Sequence, residues 1–577
     1  MPYLSTVAVK ATVMNVQIHS LSPEAERRRI LLPSSRSRSP VLPPAKPDRV
    51  VTVCAASAFL PTEFISETFS HSLRAETGSS VLLVHLAVPG ARYSLAAWSK
   101  ARAQINGEFG LAGQIETTEG GVAILRLQPP ESFEDEESLN SFVEHCATHF
   151  QHLVLHAGNE TTPSLLLKCL LESNRAFLLI QPKTEDLYAR DLLLRGLQAH
   201  PRGEHVNVRT IACREKSEEH FNALLKQMGG AVHGFIHGCP TLAAAQGLRR
   251  WPDRDFNSDI RRLAREVGHR RVGLALSSGG ARGLAHIGVI QVLEENGIEV
   301  DVVAGCSMGS YIGAVWAAGY DGVAMERQAR ELEHRWGLFD LIDPFILPRQ
   351  GFLRGEKVKQ RLKRAIGEAH FSELVRPLRI VATHLATLDR VVFSSGEVAA
   401  AVHASSAIPG ACVPVEVDGE LYIDGGIADP LPVDVLEEMG IERIIAINTI
   451  PTPAYLRTHL EMSRERDSRR GKKTNQIKSF LNRYLNYFAP GNVLDTILRS
   501  FNGAQMQVAE HACQFADVVV RPLSFDGRWH DFRRPGKYIA IGRREAEAHL
   551  EEIKALVNRK EPTYEVPIAH HTMATTA

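Results

Sequence analysis

The sequence predicts an α/β protein with two sheet-based domains in succession, on three observations. Apolar runs of strand length alternate with helical periodicity from Arg49 to about residue 245, and the same texture resumes at Arg271; such alternation argues for doubly wound parallel sheets. The third observation is the stretch Val302 to Ala318, V-V-A-G-C-S-M-G-S-Y-I-G-A-V-W-A-A. An apolar run suited to a buried strand enters the turn Gly305-Cys306-Ser307-Met308-Gly309, and Ile312, Val315 and Trp316 then share a helical face.

Glycine, any residue, serine, any residue, glycine between strand and helix is a nucleophile elbow. Gly305 and Gly309 flank Ser307 because side chains in so tight a turn would meet neighbouring backbone. The turn sets Ser307 Oγ at a helix N-terminus, where free N–H groups and the dipole favour negative charge. Val302 to Tyr320 carries no charge, so a membrane span is the competing reading. Its density of Gly, Ser and Ala makes it a poor one.

The 577 residues leave room for two to four domains. Equal numbers of basic and acidic residues, 66 each, give no global field that points to nucleic acid, and no nucleic-acid partner is expected. Eight cysteines lie scattered without a C-x-x-C pair, and no histidines show metal-ligand spacing. No metal or other cofactor is therefore expected, and a reduced, cytoplasmic setting is. Met1 to Ser20 lacks the basic and apolar segments of a signal peptide. Residues 1–47 mix Ser, Arg and Pro and read as a disordered tail, as do residues 559–577.

The first domain, 48–245, has strand signals at Val50–Cys54, Val81–Leu86, His152–Leu155, Ala176–Ile180 and Val206–Ile211. Helical stretches such as Thr62–Leu73, Leu139–Phe150 and Leu187–Leu197 separate them. This layout resembles the ParA/MinD-like ATPase fold. Its first strand–helix turn, Ala55 to Thr62, has neither glycine nor lysine to cradle a phosphate, so nucleotide binding is disfavoured and a non-catalytic domain is expected. Residues 246–270 follow as a basic amphipathic connector, most simply a helix packed across the junction.

The second domain, 271–558, opens with the strand Arg271–Leu276 and the glycine-rich turn Ser277-Ser278-Gly279-Gly280-Ala281-Arg282-Gly283. Taken alone, that turn fits a phosphate site or an oxyanion hole. The dinucleotide spacing G-x-G-x-x-G fails at Ser278, and Ser307 on the next elbow tips the balance. Consecutive parallel strands can place their C-terminal loops side by side, so the amides of Gly279 and Gly280 can meet an oxyanion formed at Ser307. The third feature is Leu421-Tyr422-Ile423-Asp424-Gly425-Gly426.

In this order, S-G-G-A-R-G-L-A-H-I-G, G-C-S-M-G-S and D-G-G-I-A-D-P-L-P make residues 271 to about 450 resemble the patatin-like phospholipases, in the bacterial and neuropathy-target-esterase branch. The resemblance implies a three-layer α/β/α hydrolase, with Ser307 as nucleophile and Asp424 as base of a dyad without histidine. It also implies an oxyanion hole from Gly279, Gly280 and the neighbouring Ala281, Arg282 and Gly283, with Gly425 and Gly426 as motif glycines. Ser278 stands where the family usually has glycine, which leaves the donor amides open. The implied substrates are acyl esters of phospholipids or lysophospholipids, met at a micelle or on the inner face of a membrane.

Two rivals stand beside this reading. A Ser–His–Asp esterase on small soluble esters would need His286, His384 or His403. A non-enzymatic membrane scaffold would need none of these residues. Further on, residues 456–505 form an amphipathic stretch with aromatic and basic residues, a strand is expected at Phe515–Pro522, and Arg543–Val557 reads as a closing helix.

Overall fold

Val50–Ala55 (β1) and Val81–Leu86 (β2) are apolar runs buried along almost their whole length, as strands covered on both faces must be. In the computed structural model they belong to one eight-stranded sheet. The structure describes residues 49–95, 97–98, 114–129, 133–181, 183–203, 206–214, 232–248, 250–333, 343, 353–453, 455–458, 461, 493–523 and 531–559, with backbone alone for 133–137 and 493–499. The N-terminal tail read from the sequence, the C-terminal one apart from Arg559, and most of the amphipathic stretch within 456–505 lie outside the described residues.

The other strands of the first sheet are Glu116–Thr117 (β3), Ala123–Arg126 (β4), His152–Ala157 (β5), Arg175–Ile180 (β6), Asn207–Cys213 (β7) and Gly234–Ile236 (β8). Their order is β3-β4-β2-β5-β1-β6-β7-β8, parallel except for β3 against β4.

The second sheet comprises Val272–Leu276 (β9), Val302–Cys306 (β10), Leu378–His384 (β11), Arg390–Phe393 (β12), Val415–Val417 (β13), Glu420–Asp424 (β14), Arg443–Ile447 (β15) and Val518–Val520 (β16). It runs β13-β14-β11-β10-β9-β15-β16, with β12 also on β11. The strands β16, β15, β9, β10 and β11 are parallel, whereas β12, β13 and β14 join antiparallel. The charge-free stretch Val302 to Tyr320 divides into β10, the elbow turn and a helix at Met308–Ala317, which removes the membrane-span reading. No helix among the described residues is long and apolar enough to cross a membrane. The closing helix divides as well, into Pro535–Ala548 and Leu550–Val557 around His549. Pro535 at the first helical position needs no N–H partner and starts the helix eight residues before the expected Arg543.

The connector is the helix Arg254–Val267, capped by Asp253. Phe256, Ile260, Leu263, Ala264 and Val267 bury its apolar face with Phe64, Phe69 and Leu73 of the helix Thr62–Thr77. Its basic face is neutralised by pairing. Arg265 bonds the fully buried Asp301 through Nε at 2.9 Å and Nη2 at 2.7 Å, and reaches Glu76 at 3.2 Å and Glu299 at 2.8 Å. Asp301 Oδ2 in turn accepts from the Val272 amide at 2.9 Å, so one ion pair ties the connector to the start of both β9 and β10. Breaking a buried pair strands the remaining charge. Arg265→Ala is therefore expected to cost roughly 3–5 kcal/mol in chemical unfolding. Arg261→Ala, whose pairs with Glu76 and Glu299 are more exposed, should cost under about 1 kcal/mol.

Candidate active site

Register brings the serine and the carboxylate together. β10 runs along β11 with Gly305 opposite Ile380 and Cys306 opposite Val381. β14 comes down β11 from the other direction, with His384 opposite Tyr422 and Ala382 opposite Asp424. β12 pairs with Ile380 through Thr383 and so fills the opposite edge of β11. A strand has two edges, so β10 and β14 must share one and meet end to end. Ser307 and Asp424 are the facing ends. Ser307 Oγ donates to Asp424 Oδ2 at 2.8 Å, and Asp424 Oδ1 accepts from the Gly426 amide at 2.7 Å.

The elbow is strained in the way a tight strand–helix turn requires. Ser307 has φ of 52° and ψ of −116°, a region that L-residues seldom occupy. Gly305 closes the strand side of this turn. Gly309 opens the helix side, and a Cβ there would lie 2.3 Å from the Leu276 carbonyl oxygen, so only glycine lets the helix settle on the end of β9. Gly425 does the same for the other partner, since its Cβ would meet the Val381 oxygen at 2.2 Å. The D-G-G turn can thus cross the backbone of β11 just beyond Asp424.

The loop after β9 is pinned to its neighbours. The Ser278 amide donates to Pro430 O at 2.8 Å, and Ser278 O accepts from Thr449 Oγ1 and from Ser277 Oγ, each at 2.9 Å. Arg282 N donates to Gly279 O at 3.3 Å. No acceptor among the described residues is paired with the amides of Gly279, Gly280 and Ala281. Gly283 lies on the elbow, where its Cβ would be 2.5 Å from Met308 Cγ, so the open amides and Ser307 share one corner of the sheet. The Arg282 guanidinium has no carboxylate partner among the described residues, and burial lowers its pKa to about 10.

Asp424 is almost fully buried, and burial raises its pKa from 3.8 to about 6, against the lowering effect of the Gly426 amide and the Ser307 hydroxyl. No histidine among the described residues hydrogen-bonds either member of the pair. His286 Nε2 donates to Ser277 O at 3.0 Å, and burial pushes its pKa down to about 4. His384 lies 3.1 Å from Glu420 and 2.9 Å from Thr387, and His403 Nε2 donates to Arg354 O at 3.1 Å. Cys306, next to Ser307, is held protonated by burial and by the nearby carboxylates of Asp424 and Asp429.

The sequence model of the patatin-like phospholipase family matches residues 274–437, which hold the serine, the carboxylate and the glycine-rich loop. This part of the chain is similar to the patatin-like phospholipases. An uncharacterized NTE family protein of Mycobacterium tuberculosis is 44% identical over 179 residues, 31% of this chain and 49% of that protein. A lysophospholipase of Aspergillus fumigatus is 34% identical over 229 residues, 40% of this chain and 15% of its own. The chain thus spans about half the length of the mycobacterial relative and much less of the fungal one. Among solved structures, a ParA family ATPase from Chlorobium tepidum matches 38% of this chain and 98% of its own, at 15% identity and a TM-score of 0.32. VipD from Legionella pneumophila matches 49% and 67%, at 15% identity and a TM-score of 0.26. Superpositions this loose establish nothing for either sheet.

Two features of the patatin-like domain escape sequence reasoning. Ser405, at the end of the helix Val398–Ser405, accepts from the Ser307 amide at 2.8 Å and donates to Val381 O at 2.6 Å. It ties the strained elbow to β11 and removes the Ser307 amide from the set of free donors. Thr449 and Ser277 hold the glycine-rich loop from below, the Thr449 amide donating to Ser277 Oγ at 2.9 Å. The sequence signal for Ser405 is no more than the small-residue stretch Ala404-Ser405-Ser406-Ala407.

Two substitutions test these contacts. Ser405→Ala leaves a buried amide and a buried carbonyl unpaired and should lower unfolding stability by roughly 1–3 kcal/mol. Asp424→Asn should raise it. A carboxylate whose folded pKa lies above its ordinary value is favourable while protonated, below about pH 4, and loses that contribution as pH rises through about 6. Above pH 7 the ionised form costs about 3 kcal/mol, at about 1.4 kcal/mol per pH unit. The stability gap between Asp424→Asn and wild type is expected to be widest near pH 8 and to close towards pH 4.

Proposed function

We propose that the chain is a serine hydrolase that cleaves acyl ester bonds of phospholipids or lysophospholipids, with Ser307 as nucleophile and Asp424 as its base. The observation that carries this reading is the 2.8 Å hydrogen bond from Ser307 Oγ to a buried carboxylate, at a strained elbow beside open amides. Asp424 accepts the serine proton as Oγ attacks the ester carbonyl, and passes it to the departing alcohol. The amides of Gly279, Gly280 and Ala281 receive the oxyanion. Water then enters, Asp424 takes its proton, and the acyl-enzyme is hydrolysed. The guanidinium of Arg282, without a carboxylate partner among the described residues, places positive charge beside this loop.

The lipid substrate class rests on the family and on the fungal relative's description as a lysophospholipase. Such amphiphiles are met at a micelle or membrane surface, so we place the protein peripherally on a cytoplasmic face. In the same reading residues 48–245 are a non-catalytic domain, 246–270 the connector and 271–558 the hydrolase.

Fatty-acid release from lysophosphatidylcholine micelles tests the proposal. Wild type should release fatty acid, and Ser307→Ala and Asp424→Asn, still folded, should lose at least about a thousandfold in kcat/KM. Equal release by all three would refute the site; loss on replacing His286, His384 or His403 alone, in a folded variant, would favour the histidine triad. Because the base must be ionised, kcat/KM is expected to rise with pH through about 6 and then level.

A further inference from the structure

At the carboxyl end of β2 three ligand-type side chains converge that the hydrolase chemistry leaves aside. Glu63 and Glu67, one turn apart on the helix Thr62–Thr77, face His85 of β2. One donor atom from each lies within 4.8 Å of the other two. His85 is fully buried, yet its Nε2 has no hydrogen-bond partner. Its nearest acidic neighbour, Glu67 Oε1, is 3.6 Å away. That is too long for a hydrogen bond, but close to the edge of about 3.4 Å expected between ligands of a tetrahedral zinc with bonds near 2.1 Å.

The other face of the imidazole is already fixed. His85 Nδ1 and His156 Nδ1 are 2.8 Å apart and share one proton, and His156 Nε2 lies 2.9 Å from Thr62 Oγ1. Donation from His85 Nδ1 to His156 would lock the His85 ring with its Nε2 towards the two carboxylates. Metal-bound histidines are oriented by such an outer hydrogen bond. Arg126 now supplies the local positive charge, with Nη2 3.3 Å from Glu67 and 3.6 Å from Glu63. Its Nη1 also holds the exposed Glu116 at 3.2 Å, an anchor that would keep the side chain paired if a divalent ion took its place.

We propose that Glu63, Glu67 and His85 form a site for a divalent transition metal ion of the zinc class, water completing its shell. One imidazole with two carboxylates suits such a borderline cation better than calcium or magnesium, which favour all-oxygen sets. The site lies at the carboxyl edge of the first sheet, where α/β folds commonly build ligand sites, and does not depend on the hydrolase reading.

The test is zinc titration of the full chain after chelator treatment, followed by calorimetry and by metal content after dialysis. Wild type is expected to retain one equivalent more than the Glu63→Gln/Glu67→Gln double variant. Each single variant should bind at least tenfold more weakly and still fold without metal, since Glu63 is exposed and Glu67 only half-buried. Arg126→Ala, which removes the competing cation, should bind several-fold more tightly. Equal uptake by wild type and the double variant would overturn the proposal, and unchanged affinity in Arg126→Ala would count against these carboxylates as ligands.

Discussion

One edge of β11 is the constraint on which the candidate active site depends. Its backbone receives β10 up to Val381 and β14 from Ala382 onward, so the serine and the carboxylate are positioned by adjacent rungs of one ladder. Everything else in the corner serves that meeting. Gly309 seats the elbow on β9, Gly425 lets the second turn cross β11, and Ser405 fastens the strained residue to Val381, the last residue that pairs with β10. Even Arg265, far from Ser307, contributes by holding Asp301 at the point where β10 begins.

Burial of Asp424 has two opposed effects. It costs stability at neutral pH, because a carboxylate in a dry site is disfavoured when charged, and it raises the proton affinity of the group to the range where a base is useful. A carboxylate in water would hold a serine proton too weakly to matter. In the proposed mechanism the same desolvation that penalises the fold is what makes a two-membered arrangement chemically adequate, while the histidines nearby are engaged with backbone carbonyls or surface partners.

Much of this was legible in the sequence for a definite reason. Ser307, the glycine-rich loop and Asp424 sit in turns whose glycines are forced by close backbone approach, and such turns leave short, local signatures. The long buried strands were legible too, since β1, β2, β6 and β15 are mostly apolar, each with a single polar or charged residue. What escaped is non-local. Ser405 reaches Ser307 across 98 positions and Thr449 reaches Ser277 across 172, and nothing near either residue announces the partner. The short strands β4 and β8 are stabilised by neighbours and carry little pattern of their own. The Glu63, Glu67 and His85 cluster was invisible to a search of histidine and cysteine spacing, because two of its members are glutamates on a helix and the third comes from the following strand.

The end-to-end arrangement of β10 and β14 also sets how the pair can fail. No loop has to close to bring Ser307 to Asp424, and the spacing between them is copied from the repeat of a strand whose amides lie in the core. Small fluctuations that open surface segments leave such a ruler untouched. The serine and its carboxylate part company only when the sheet itself comes undone, so the endurance of the pair and that of the fold are one property.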